Sequence, residues 1–115
     1  TNSTGNHMHW IDLTQVQQLT VIKTLSNTRA QVIFKHSTRC ATSSMAMNRL
    51  ERNIQPDQTD FYFLDLIKYR TLSDKIAEEF SVPHESPQVL VIKNMECVYD
   101  ESHSGIQMDE IAEQV

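Results

Sequence analysis

A chain of 115 residues supports one hydrophobic core and is too short for two ordinary domains. Its net charge of -5, with 10 lysines and arginines and no basic block, speaks against nucleic acid or an anionic membrane surface as partner. No stretch approaches the roughly 20 apolar residues of a membrane span, and two cysteines, Cys40 and Cys97, are too few for a secreted disulfide scaffold. A soluble protein of a reducing cytoplasm, with a small molecule or another protein as partner, is expected.

Thr1 to His7 are polar and lack the apolar core of a signal peptide. They are expected to be a disordered or appended end before a native start at Met8, leaving 8–115 as the single domain. Trp10 and Ile11 suit a short strand, after which Asp12 or Thr14 caps a helix carrying Val16, Leu19, Ile22 and Leu25 on one side. Residues 31–35 read as a buried strand because Val32, Ile33 and Phe34 are consecutive β-favouring apolar residues. From Cys40, a second helix follows Ala41, Met45, Ala46, Leu50 and Ile54 until Pro56 ends it. Asp60 to Ile67 predicts a central strand beside the first.

Leu72, Ile76, Ala77 and Phe80 then form a helical stripe capped by Thr71 or Ser73 and closed by Pro83, a crossover expected to make a parallel strand pair. Gln88 to Lys93 and Cys97 to Glu101 predict a hairpin around Asn94, Met95 and Glu96, followed by a helix with Met108, Ile111, Ala112 and Val115 on one face. The five methionines and the aromatic run Phe61 to Phe63 are expected in the core. This βαβαβαββα order predicts an α/β protein with the thioredoxin-like arrangement: a three-layer α/β/α sandwich, a mixed central sheet and a terminal β-hairpin plus helix. With two glycines the chain has no phosphate-cradling loop, which disfavours nucleotide enzymes.

The chemistry concentrates at Cys40, where an apolar strand delivers a cysteine to the start of a helix. Unpaired backbone N–H groups and the helix dipole at such a junction favour thiolate over thiol, and a thiolate attacks disulfides. Arg39 precedes it, either supporting the thiolate, meeting a ligand carboxylate, or simply solvated. Ser43 stands where a dithiol oxidoreductase carries its second cysteine. Its hydroxyl is expected to donate to the Cys40 thiolate and it also suits a first helical turn, but it cannot resolve a mixed disulfide, so an external thiol must. His36, His84 and His103 are expected in loops near this end, yet without a CxxC or HxxxH spacing no metal site is predicted.

Three segments carry a resemblance to a known family: Ile33 to Cys40 (IFKHSTRC), His84 to Gln88 (HESPQ), and Ser102 with His103. Over residues 9–115 the chain resembles the monothiol bacilliredoxins of the YtxJ-like group, thioredoxin-fold proteins of bacillithiol-producing bacteria. That family usually continues from the cysteine with Pro, Ile, Ser. This chain has Ala41, Thr42, Ser43, which leaves the helix start without a preorganising proline and adds the Thr42 hydroxyl beside the thiol.

The resemblance implies that Pro87 is cis, although base rates for X-Pro bonds alone favour trans. It also implies that the backbone of Ser86 faces Cys40 and pairs with an extended substrate. The next strand, rising ~3.3 Å per residue, then places its far turn near Met95 on the order of 20 Å from the reactive end, so Cys97 is expected to be a core or edge-strand residue and not a resolving thiol, unless the sheet rearranges or a second chain supplies the contact. The last strand returns His103 to that end, where it orients a bound thiol, contacts a carboxylate, or stands free in solvent.

The implied activity is removal of bacillithiol from S-thiolated client proteins through a Cys40 mixed disulfide. No bound cofactor is expected. Bacillithiol or another low-molecular-weight thiol is the co-substrate, and that thiol or a partner reductase regenerates Cys40. Two alternatives stay open: a monothiol glutaredoxin-like protein using glutathione or holding an iron–sulfur cluster, though paired glycines near the last helix are missing, and a noncatalytic thioredoxin-fold interaction or redox-sensing module.

Overall fold

The computed structural model describes residues 8–115, and the expectation for Thr1 to His7 lies outside the described residues. The strands β1 (Trp10–Asp12), β2 (Ala30–His36), β3 (Thr59–Asp65), β4 (Gln88–Lys93) and β5 (Glu96–Ser102) form one sheet in the spatial order β1-β3-β2-β4-β5. The first three run parallel; β4 is antiparallel to β2, and β5 to β4. Helices α1 (Gln17–Leu25) and α3 (Arg70–Phe80) cover one face, and α2 (Ala41–Glu51) and α4 (Met108–Gln114) the other. This is the three-layer sandwich expected.

Because β2 lies at the centre with both faces covered, all of its side chains are buried and their alternation splits the core in two. Val32 and Phe34 join Ala46, Leu50, Val89, Ile106 and Ile111 under α2 and α4. Ile33 joins Ile22, Leu64, Leu72, Ile76 and Leu90 under α1 and α3. No helix among the described residues is long and apolar enough to cross a membrane.

Several local expectations are corrected. The parallel pair β2/β3 is made by the α2 crossover, not by α3. Since β3 ends at Asp65 beside His36 and β4 begins at Gln88 beside Lys35, α3 brings the chain back to the end of the sheet it left, and β4 enters antiparallel. Neither Asp12 nor Thr14 caps α1: Val16 is the N-cap, and Gln18 Oε1 accepts the N–H groups of Thr14 (2.8 Å) and Gln15 (3.0 Å) instead. Nor do Thr71 or Ser73 cap α3, whose N-cap is Tyr69; Asp65 Oδ1 accepts from Ile67 and Lys68 just upstream.

Helix α2 stops at Glu51, before Pro56, where the Asn53 amide takes the Arg49 carbonyl (2.8 Å). Its buried line is Ser43, Ala46 and Leu50, while Met45 (60% exposed) and Ile54 (74%) face solvent. Met95, Val16 and Ala112 are also exposed, so of the methionines only Met8 and Met108 are buried in the core, with Met47 packed against it. The hairpin turn is only Asn94 and Met95, both at positive φ (52° and 71°), the pattern of a tight turn matched to strand twist. Ser26 holds it from α1's end, accepting the Asn94 N–H at its carbonyl (2.9 Å) and the Met95 N–H at its hydroxyl (2.8 Å).

Candidate active site around Cys40

After β2 ends, the Cys40 N–H closes a turn onto the Ser37 carbonyl (3.2 Å) and Cys40 becomes the N-cap of α2, in extended conformation (φ -116°, ψ 119°). The first bond inside the helix is from the Ser44 N–H to the Cys40 carbonyl (3.1 Å), so the N–H groups of Ala41, Thr42 and Ser43 precede it at the positive end of the helix dipole. The thiol itself is half-buried and free. Ala41 takes the first helical position, where proline is favoured but not required.

The Ser43 side chain does not bond to Cys40. It is fully buried, turned inward, and accepts the Ser37 N–H (3.0 Å) while lying 2.7 Å from Nδ1 of His36. His36 is likewise not a loop residue: it ends β2, buried between Phe34 and Phe63 with ring centroids 5.8 and 5.3 Å away. Burial lowers the His36 pKa, opposed by Asp65 and Glu51, so the ring is neutral at pH 7 and suited to a hydroxyl partner. Ser43→Ala is therefore expected to destabilise the fold by about 1–2 kcal/mol, leaving Ser37 N–H and His36 unpartnered, while alkylation of Cys40 by iodoacetamide changes less than about twofold. Chemical denaturation and labelling kinetics check the two halves.

The second motif lies at the same end of the sheet. Lys35 pairs with Gln88, which puts Pro87 beside the end of β2, and the Ser86–Pro87 bond is cis, as the resemblance implied. Gln88 closes the loop on itself: its amide donates to the Pro83 carbonyl (3.0 Å), and its Oε1 accepts from the Glu85 N–H (3.4 Å). The Pro87 carbonyl accepts the N–H of His103 (3.1 Å), an exposed residue at φ 56° that opens a single 3-10 turn (His103–Gly105). Arg49 then ties that turn to α2, donating from Nη2 to the His103 carbonyl (3.2 Å) and from Nε to the Ile106 carbonyl (3.1 Å).

Thus Cys40, Ser43, Ser86, Pro87 and His103 come to one end of the sheet, with Arg39 and Thr42 exposed beside them. For His103 the backbone makes the link. The histidines do not converge on Cys40: His36 faces Ser43, whereas His84 faces Lys35 and Ser73 on the other side of the sheet, and no group of three or more His, Cys, Asp or Glu fit to hold a metal occurs among the described residues. Arg49 and Gln88 escaped sequence reasoning. Gln88 stands inside a quoted motif, but nothing in helical spacing marks Arg49.

Cys97 sits on β5 opposite Ile92, five residues along β4 from Pro87 and so about 16 Å away. Its thiol donates to the Tyr99 carbonyl (3.3 Å), and burial pushes its pKa up, partly offset by that bond. Iodoacetamide at neutral pH is expected to label Cys40 well before Cys97, a difference that peptide mapping of a time course resolves.

Comparison with known proteins agrees with this geometry. The family model described as monothiol bacilliredoxin BrxC matches residues 11–111. A solved structure described as a candidate oxidoreductase with a thioredoxin fold is similar at 29% identity and TM-score 0.77, over 90% of this chain and 91% of that one. A single-residue variant of the thioredoxin from Halobacterium salinarum (14% identity, TM-score 0.68, 93% and 88% covered) and the thioredoxin of Fasciola hepatica (16%, 0.65, 90% and 93%) share the fold. Fold and family are those of thiol-disulfide oxidoreductases, and the chain belongs to the monothiol bacilliredoxin family.

Proposed function

We propose that Cys40 is the nucleophile of a monothiol cycle that removes bacillithiol from protein mixed disulfides. The observation that carries this reading is a half-buried cysteine at the N-cap of α2, at the end of the sheet that also carries the cis Ser86–Pro87 bond, with a serine where a resolving thiol would stand. The Cys40 thiolate attacks the bacillithiol sulfur of the client's mixed disulfide. A bond forms between Cys40 and bacillithiol, the client–bacillithiol bond breaks, and the client sulfur leaves as thiolate and takes a proton from water. A second low-molecular-weight thiolate, or a partner reductase, then attacks the new disulfide and returns Cys40 to its reduced form. Arg39 and Thr42 are assigned to support of the thiolate or contact with the incoming thiol, Ser86 and Pro87 to the client backbone, and His103 to the thiol ligand. The cycle suits a reducing cytoplasm.

Intact-mass spectrometry tests it, using reduced protein mixed with a bacillithiolated model protein and, separately, its glutathionylated equivalent. A bacillithiol adduct confined to Cys40, with matching loss from the client, is the expected result. Transfer only from the glutathionylated client points to a glutaredoxin-like role, and no transfer from either to an interaction or sensing module.

A further inference from the structure

Both quoted motifs contain a residue that the chemistry above does not use, and the two touch. Lys35, from IFKHSTRC, is completely buried in the middle of the sheet, yet its Nζ reaches the Ser73 carbonyl on α3 (3.3 Å) and lies 3.4 Å from Nδ1 of His84, from HESPQ. The same Nδ1 lies 3.4 Å from the Ser73 hydroxyl. Lysine is rarely buried, because taking its charge out of water is expensive. The Ser73 carbonyl, inside α3, does not require it, since helix geometry supplies a partner. What an ammonium does here and an aliphatic side chain cannot is hold an imidazole of the neighbouring loop. His84 is able to accept that bond because partial desolvation of its ring against the sheet, aided by the Lys35 and Arg70 cations and opposed by Asp74 and Glu85, lowers its pKa, although the residue as a whole is exposed.

We propose that Lys35 is a positioning residue which, through His84, fixes the Pro83–Pro87 loop to the sheet so that the Ser86 backbone stands ready to pair with the extended chain of a thiolated client. The loop has three restraints, each from a different direction. Gln88 closes it internally, the His103 N–H holds its far end at Pro87, and Lys35 anchors its near end. Among the described residues, Ser86 makes no backbone hydrogen bond of its own, leaving its N–H and carbonyl for an incoming strand. This inference rests on the client-pairing reading above, so its test separates the two.

Lys35→Met and His84→Ala are compared with the unaltered chain in three measurements: hydrogen exchange of the loop amides, KM and kcat for a bacillithiolated client protein, and the rate of Cys40 with a small aromatic disulfide that has no peptide backbone. His84 is exposed, so its variant does not disturb the core. In both variants, exchange of the Glu85 amide, which donates to Gln88 Oε1, is expected to speed about tenfold and client KM to rise about tenfold, with kcat and the small-disulfide rate within about twofold. The double variant should add little to either single one. Unchanged loop exchange overturns the positioning role whatever the activity. Faster exchange with unchanged KM overturns its link to the client, and a small-disulfide rate falling in step with client turnover shows general damage rather than positioning. If the unaltered chain ignores the client but reacts with the small disulfide, the proposed function fails while exchange still decides the anchor.

Discussion

Cys40→Ala is expected to lower transfer of bacillithiol from a client by roughly a thousandfold or more, to the level of free thiols in solution. No other group in the fold can take over the step. Ser43 carries a hydroxyl, not a thiol, and that hydroxyl is turned to Ser37 and His36. Cys97 lies about 16 Å along the sheet from Pro87, its thiol bonded to Tyr99 and pushed toward the protonated form. Cys97→Ala should accordingly keep the full rate. Release of client thiol, followed together with adduct mass, reads both variants. Continued transfer by the Cys40 variant would move the chemistry to Cys97 and overturn the assignment.

The other large effect runs in the direction of greater stability. Lys35→Met is expected to stabilise the fold by about 2–3 kcal/mol at pH 7, because it removes a buried charge. Burial, opposed by Asp74, lowers the Lys35 pKa to about 8, against about 10.4 for an unfolded lysine. Between those values the unfolded chain binds the proton and the folded chain does not. The destabilisation is therefore complete below about pH 8 and is relieved as pH rises toward about 10.4. Tyr62 and Tyr99, both pushed up to about 12 by burial, act in the opposite sense at high pH but do so equally in both proteins. Urea unfolding at pH 7 and pH 10 should thus show a difference that shrinks with pH. An increment of the same size at both values would mean that packing, not charge, explains it.

Much of this arrangement was legible in the chain because its signals are local. Val32, Ile33 and Phe34 read as a central strand, and a cysteine between that strand and a helical pattern has few other places to go. What stayed hidden depends on residues distant in sequence. Helical spacing around Leu72 and Ile76 shows that α3 exists but not to which end of the sheet it returns the chain, and that choice decides whether β4 runs parallel or antiparallel. His36 looks like a loop residue until Ser43, one helical turn into α2, supplies the partner that permits its burial. The helix starts are served by Gln18 and Asp65, which reach backbone groups that local spacing assigns to Asp12 or Thr71. Met45 fits an apolar stripe, yet the sheet beneath α2 accepts only the narrower line of Ser43, Ala46 and Leu50.

Arg49 gives α2 the character of a ruler. It stands nine residues after Cys40, so the nucleophile and the guanidinium that holds His103 are separated by about two and a half turns of one rod. The spacing between thiol and turn is thereby set by backbone geometry rather than by loop lengths. Inserting or deleting one residue between them would swing Arg49 by about 100° and detach the turn, even in a helix whose propensity is unchanged. Length variation across relatives should accordingly fall in the segment after Glu51, where residues 52–58 carry no such register, and spare the stretch from Cys40 to Arg49.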